Sequence, residues 1–126
     1  MKLRLRQNSV RLRLTRSEVQ RLAEGQTIEE LVAFAPGDGS TFRYRVCSSA
    51  AISGGVATYE AGCVAVELPA SQVTSWATGT EEGIYFDTAW GLKVAVEKDF
   101  KCLDPRTEED ESDAFDHPGG ASHCKV

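Results

Sequence analysis

Val10-Arg-Leu-Arg-Leu-Thr-Arg-Ser-Glu-Val-Gln-Arg-Leu-Ala-Glu-Gly25 decides the fold, because the chain carries it twice. It aligns without gaps to Val64-Ala-Val-Glu-Leu-Pro-Ala-Ser-Gln-Val-Thr-Ser-Trp-Ala-Thr-Gly79, with Val10/Val64, Leu14/Leu68, Ser17/Ser71, Val19/Val73, Ala23/Ala77 and Gly25/Gly79 identical. Such self-similarity outranks any local assignment. Leu3 and Leu5, then Val10, Leu12 and Leu14, alternate with arginines, the period-two pattern of half-buried strands joined at an Asn8-Ser9 turn. Thr15-x-x-Glu18 is a capping box, Val19, Leu22 and Ala23 form a short apolar stripe, and Gly25 stops the helix. In the second copy Pro69 opens the helix, Val73, Trp76 and Ala77 form the stripe, and Gly79 is the stop.

Working outward, two further strands are expected in each copy, at about 29–34 and 41–47, then 83–87 and 91–98. Pro36-Gly37-Asp38-Gly39 and Ala89-Trp90-Gly91 supply the turns. The unit is therefore ββαββ, twice: repeat one over 1–47, a linker over 48–54 and repeat two over 55–98. One unit is too small to close a core. The expected fold class is mainly β (α+β): one duplicated, pseudo-two-fold, mostly antiparallel β-barrel or sandwich with two short helices. An acidic C-terminal tail follows over 99–126.

The 126 residues suit one domain, and 41% hydrophobic with 26% charged residues is an ordinary globular composition. No apolar run approaches a membrane span, and the opening Met1-Lys2-Leu3-Arg4-Leu5-Arg6 has no apolar signal segment. The expectation is a cytoplasmic protein with no membrane partner. The net charge of −5 hides segregation. Residues 1–45 hold nine Lys/Arg against five acids, residues 46–98 two against six, and residues 99–126 three against eight.

Particular stretches resemble two known families. Residues 8–25 and the step Val66-Glu-Leu-Pro-Ala-Ser-Gln-Val73 resemble the AbrB/MazE swapped-hairpin group. That likeness implies a fused pseudo-dimer of interleaved hairpins and a DNA-associated regulator or antitoxin. Such antitoxins often carry an acidic C-terminal extension that wraps a toxin. The departure is in charge: Arg4, Arg6, Arg11 and Arg13 correspond to Thr58, Glu60, Ala65 and Glu67, so a symmetric two-site grip on DNA is not expected. The whole chain also resembles a family of small bacterial proteins of unknown function. It shares their opening over 1–15 and their closing stretch Val96-Glu-Lys-Asp-Phe-Lys-Cys-Leu-Asp104.

Two candidate sites emerge. Arg4, Arg6, Arg11 and Arg13 should share one exposed sheet face, extended by Arg16 and by Arg43 and Arg45. This is an anion- or partner-binding surface, a solvated face that discourages edge pairing, or a face covered by the chain's own tail. In the tail, Cys102, His117, His123 and Cys124 make up a zinc ligand set, with Asp113 and Asp116 as oxygen donors, although the spacing is not that of a standard finger. A Cys102–Cys124 disulfide and unligated side chains are the alternatives. Phe115, among acids, is a candidate tail anchor. Cys47 and Cys63 read as small buried hydrophobes.

No His-Glu-x-x-His, phosphate loop or Gly-x-Ser-x-Gly occurs, and both histidines lie in the tail, so a non-enzymatic protein is expected. The leading expectation is a protein-binding or regulatory module whose acidic tail docks on itself or on a protein partner. A nucleic-acid regulator using the arginine face and a zinc-binding protein are the alternatives.

Overall fold

The computed structural model describes residues 1–100 and 113–116. Two ββαββ units run in order. The first is β1 (Lys2–Arg6), β2 (Ser9–Leu14), α1 (Arg16–Ala23), β3 (Ile28–Ala33) and β4 (Thr41–Ser49). The second is β5 (Val56–Glu60), β6 (Cys63–Pro69), α2 (Ala70–Thr78), β7 (Gly83–Asp87) and β8 (Lys93–Lys98). The alternating stretches form strands as their period requires, and each helix follows the second strand of its unit. Thr15 caps α1 through the amide of Glu18, while Glu18 answers the amide of Thr15 at 2.8 Å, which is the capping box read from the sequence. Gly25 sits at φ +90°, where a Cβ would be strained. The first hairpin turn falls at Gln7-Asn8, one residue earlier than expected, with Gln7 at φ 52° and Ala61 at φ 50° in the matching turn of the second unit.

Of the barrel or sandwich expected, no closed barrel forms, and the sheets are mixed rather than mostly antiparallel. Two four-stranded mixed sheets pack together, ordered β1-β2-β8-β7 (sheet A) and β3-β4-β6-β5 (sheet B), and neither closes on itself. Each sheet takes one hairpin from each unit. The hairpins meet through parallel pairs, β2 with β8 and β4 with β6, while every other pair is antiparallel. Period-two alternation tells which residues face inward but not which strand lies alongside, so the parallel joints were invisible to it. Exchange of the two units turns the strand order of one sheet into that of the other. The registers follow the same exchange: Val10 faces Val94 as Val64 faces Tyr44, and Ile28 faces Val46 as Ile84 faces Val96.

The core is built from these equivalents. Leu12 and Val66, Leu14 and Leu68, Val19 and Val73, Leu22 and Trp76, Ile28 and Ile84, and Val46 and Val96 are all buried in one cluster. Helices of eight and nine residues are too short to persist alone and hold because Val19, Leu22, Val73 and Trp76 are buried. Ala23 is exposed, so the α1 stripe is narrower than expected. Cys47 and Cys63 are half-exposed rather than buried. Burial, together with Glu67, pushes the Cys47 thiol up, away from a reactive thiolate.

Side chains, not ladders, join the sheet edges. The Met1 ammonium pairs with Glu18 at 2.7 Å and Glu30 at 2.5 Å, tying β1 to α1 and to β3. At the exchange-related corner Gly55 lies against the Phe86 ring, which a Cβ there would run into. Burial opposes the Met1 charge, but the hydrogen bonds and attraction of Glu18 and Glu30 outweigh it and raise the amine. For Glu18 burial acts upward, while the hydrogen bonds of the ammonium and of Thr15 win and lower it. A raised amine loses its contribution as pH rises through the folded value, and a lowered carboxylate as pH falls through its own. Melting temperature should therefore be flat between about pH 5 and 8 and fall on both sides. The Glu18→Gln variant should melt lower on that plateau and show a shallower alkaline decline; an identical pH profile would contradict the clamp.

Candidate functional site

The outward face of sheet A is laid out by register in three rows. Lys2, Arg13, Glu97 and Gly83 form the first, Arg4, Arg11, Ala95 and Tyr85 the second, and Arg6, Ser9, Lys93 and Asp87 the third. Six cations thus share a face with two acids. The corresponding face of sheet B sets Arg43 and Arg45 against Glu29, Glu60 and Glu67, so it is nearly balanced. The opposite charges of the two units do not become one basic and one acidic face, because each face draws a hairpin from both units.

Lys2 stands directly opposite Arg13, and Arg4 directly opposite Arg11. Like charges facing each other across a strand pair destabilise it by about 0.5 kcal/mol each. Beneath them lies Glu97, 6% exposed, with Arg13 beside it at 7%. Glu97 takes the Arg11 Nε at 3.4 Å, the Arg13 Nε at 3.6 Å and the Tyr85 hydroxyl at 2.8 Å. Arg13 Nη2 is buried without a partner among the described residues. Gly83 makes room for this knot: a Cβ there would come within 2.8 Å of Glu97 Cγ and of the Val96 carbonyl, and 2.9 Å from the Tyr85 hydroxyl. Burial first, and then the bond to Glu97, push the Tyr85 phenol up to about 12.

Because Ser9 and Ala95 are small while their neighbours are long, the face is hollowed into a groove of about 400 Å³. Arg4, Arg6, Arg11 and Lys93 bring positive charge to it, Asp87 partly offsets them, and Tyr85 stands 56% exposed along one side. Trp90, 82% exposed, sits on the β7–β8 loop, which joins the first hairpin turn where the Lys93 amide donates to the Asn8 carbonyl at 3.0 Å.

The structure brings Arg4, Arg6 and Arg11 together, as the alternation predicts. Arg13 is on the same face but buried and turned to Glu97, so it is not an exposed contact residue. Arg16 is elsewhere. It lines a separate hollow of about 580 Å³ between the helices, with Leu14, Ala23, Ala77 and Phe100. Phe115 is 99% exposed and touches no described surface that would anchor it. Cys102, His117, His123 and Cys124 lie outside the described residues. Among the described residues, which include the exposed Asp113 and Asp116, no group of three or more His, Cys, Asp or Glu could hold a metal. No helix among them is long and apolar enough to cross a membrane.

A family model, DUF7009, a family of unknown function, matches residues 1–119. The chain belongs to DUF7009. That match spans both ββαββ units and agrees with the opening and closing stretches singled out in the sequence. No curated protein and no solved structure matches this DUF7009 chain. The AbrB/MazE likeness therefore stands on its motifs alone. Sequence reasoning missed Tyr85, Lys93, Ala95 and Glu97 of this candidate site. They come from the last hairpin, and only the parallel β2–β8 joint places them beside the arginines.

Proposed function

We propose that this chain is a non-enzymatic binding module whose basic outer face on sheet A receives a partner carrying several negative charges. One observation carries the reading: Arg4 is held directly opposite Arg11, at a cost to the hairpin, in a groove that Arg6 and Lys93 also line. An anion lying across the groove relieves that repulsion and turns the cost into binding energy. The exchange-related strand order supports an origin by duplication, with only one of the two equivalent faces becoming basic.

A second reading concerns regulation of the same face. The chain leaves β8 through Asp99, whose carboxylate already pairs with Lys2 at 3.1 Å on this face. Eight acids lie between 99 and 126. That pair, at the edge of the face away from the groove, and the acids that follow it in sequence support the tail-docking reading.

Arg6→Glu combined with Lys93→Glu tests the proposal. Lys93 is 72% exposed and Arg6 lies on the surface, so the fold should hold, at a cost of about 1 kcal/mol for the lost Lys93–Asp87 pair and the acid set opposite Asp87. The wild-type chain should bind immobilised heparin at about 50 mM salt and elute as salt rises. The double variant should pass through unretained. Equal retention of both chains would remove the groove from the account.

A further inference from the structure

We infer that the partner of the sheet A groove is single-stranded nucleic acid, with a base stacked beside Tyr85 over Ala95 and the backbone phosphates on Arg6, Arg11 and Lys93. This rests on the polyanion reading and narrows it. A surface made only for acidic polypeptide needs cations and hydrogen-bond donors. This one interleaves cations with exposed aromatic rings. Tyr85 borders the groove, and Trp90 stands on the loop that adjoins the row containing Arg6 and Lys93. Aromatic platforms between cations are how strands are gripped without reading sequence, since every base has a flat face.

The second row has a particular shape. Ala95 is a small residue flanked by Arg11 on one neighbouring strand and Tyr85 on the other. Both flanking side chains are tied to the one buried carboxylate of Glu97, at 3.4 and 2.8 Å. Arg11 and Tyr85 are thus held apart over a low floor before any ligand arrives, and a planar group entering between them orders few side chains. Guanidinium and phenol both stack on a base. The groove of about 400 Å³ is sized for one nucleotide, with neighbouring ones running over the rim towards Trp90.

Fluorescence anisotropy of the full chain with a labelled oligothymidylate of about ten nucleotides tests this at about 50 mM salt, with a duplex of the same length and polyglutamate as competing probes. Expected are saturable binding of the single strand ahead of both other probes, and quenching of Trp90 emission that Trp90→Phe removes. Tyr85→Ala should weaken binding about five-fold or more, and Tyr85→Phe, which keeps the ring, about two-fold or less. Thermal melts check that each variant folds. If Tyr85→Ala does not, Trp90→Ala on the exposed loop takes its place, with about three-fold weakening expected. Polyglutamate or duplex bound as tightly as the single strand, with affinity indifferent to Tyr85 and Trp90, would overturn this inference and leave the polyanion reading standing. Failure of every probe to bind would overturn both.

Discussion

Glu97→Ala is expected to lower stability by about 3–5 kcal/mol, the effect of leaving a buried guanidinium without its countercharge. Arg13 is nearly as buried as Glu97, and its Nη2 already lacks a partner, so it has no described acceptor to fall back on. For a domain of this size the melting temperature should drop by roughly 15 °C. The paired replacement, Glu97→Leu with Arg13→Met, should restore most of the loss, because it removes both desolvated charges together. Calorimetric melts of the two single variants and the double variant give the coupling. Nearly additive losses would mean that the knot is not a unit. Tyr85 provides a second readout in Glu97→Gln. Its phenol, held at about 12 by burial and by Glu97, should titrate lower by ultraviolet absorbance.

Trp76→Ala is expected to cost about 3–5 kcal/mol, as emptying the place of a large buried side chain does. Trp76 is 2% exposed in the centre of the cluster formed by both sheets and both helices. Lys98 over its ring at 5.9 Å adds about 0.5–1 kcal/mol. Its Nε1 has no hydrogen-bond partner among the described residues, so no hydrogen bond of the indole is lost with it. Trp76→Leu should be milder, about half the effect or less, because Leu22 fills the exchange-related position in the same core. Chemical denaturation of the two variants decides this. Equal losses for Ala and Leu would show that the two halves do not pack equivalently.

The elements themselves were legible in the sequence. Alternation placed the strands to within a few residues, the Thr15–Glu18 box was formed as read, and Pro69 stands at the start of α2. These are local properties, set by a side chain and its near neighbours along the chain. What could not be read is pairing between distant strands. Val10, Leu12 and Leu14 announce an inward face whichever strand lies beside them, so the parallel β2–β8 joint, and the choice of two open sheets over a closed barrel, came only from the structure. The candidate site divides along the same line. Arg4, Arg6 and Arg11 were found because they alternate on one hairpin. Tyr85, Lys93 and Ala95 were missed because they belong to that face only through the joint. Arg13 was misjudged for a related reason: alternation gives direction, not depth, and the carboxylate that draws Arg13 down lies eighty-four positions away at Glu97. Arg16 begins the helix and so turns from the face its alternating neighbours share.

A polyanion groove built jointly by the first and last hairpins is the central claim, and amide chemical-shift mapping tests it most directly. Titration of the labelled full chain with the oligothymidylate should move the resonances of Arg6, Ser9, Arg11, Tyr85, Lys93 and Ala95, together with the Trp90 indole. Arg43, Arg45 and the helix residues Gln20 and Ala77 should stay still. Shifts confined to sheet B, to the groove between the helices, or to the first hairpin without the last would contradict it.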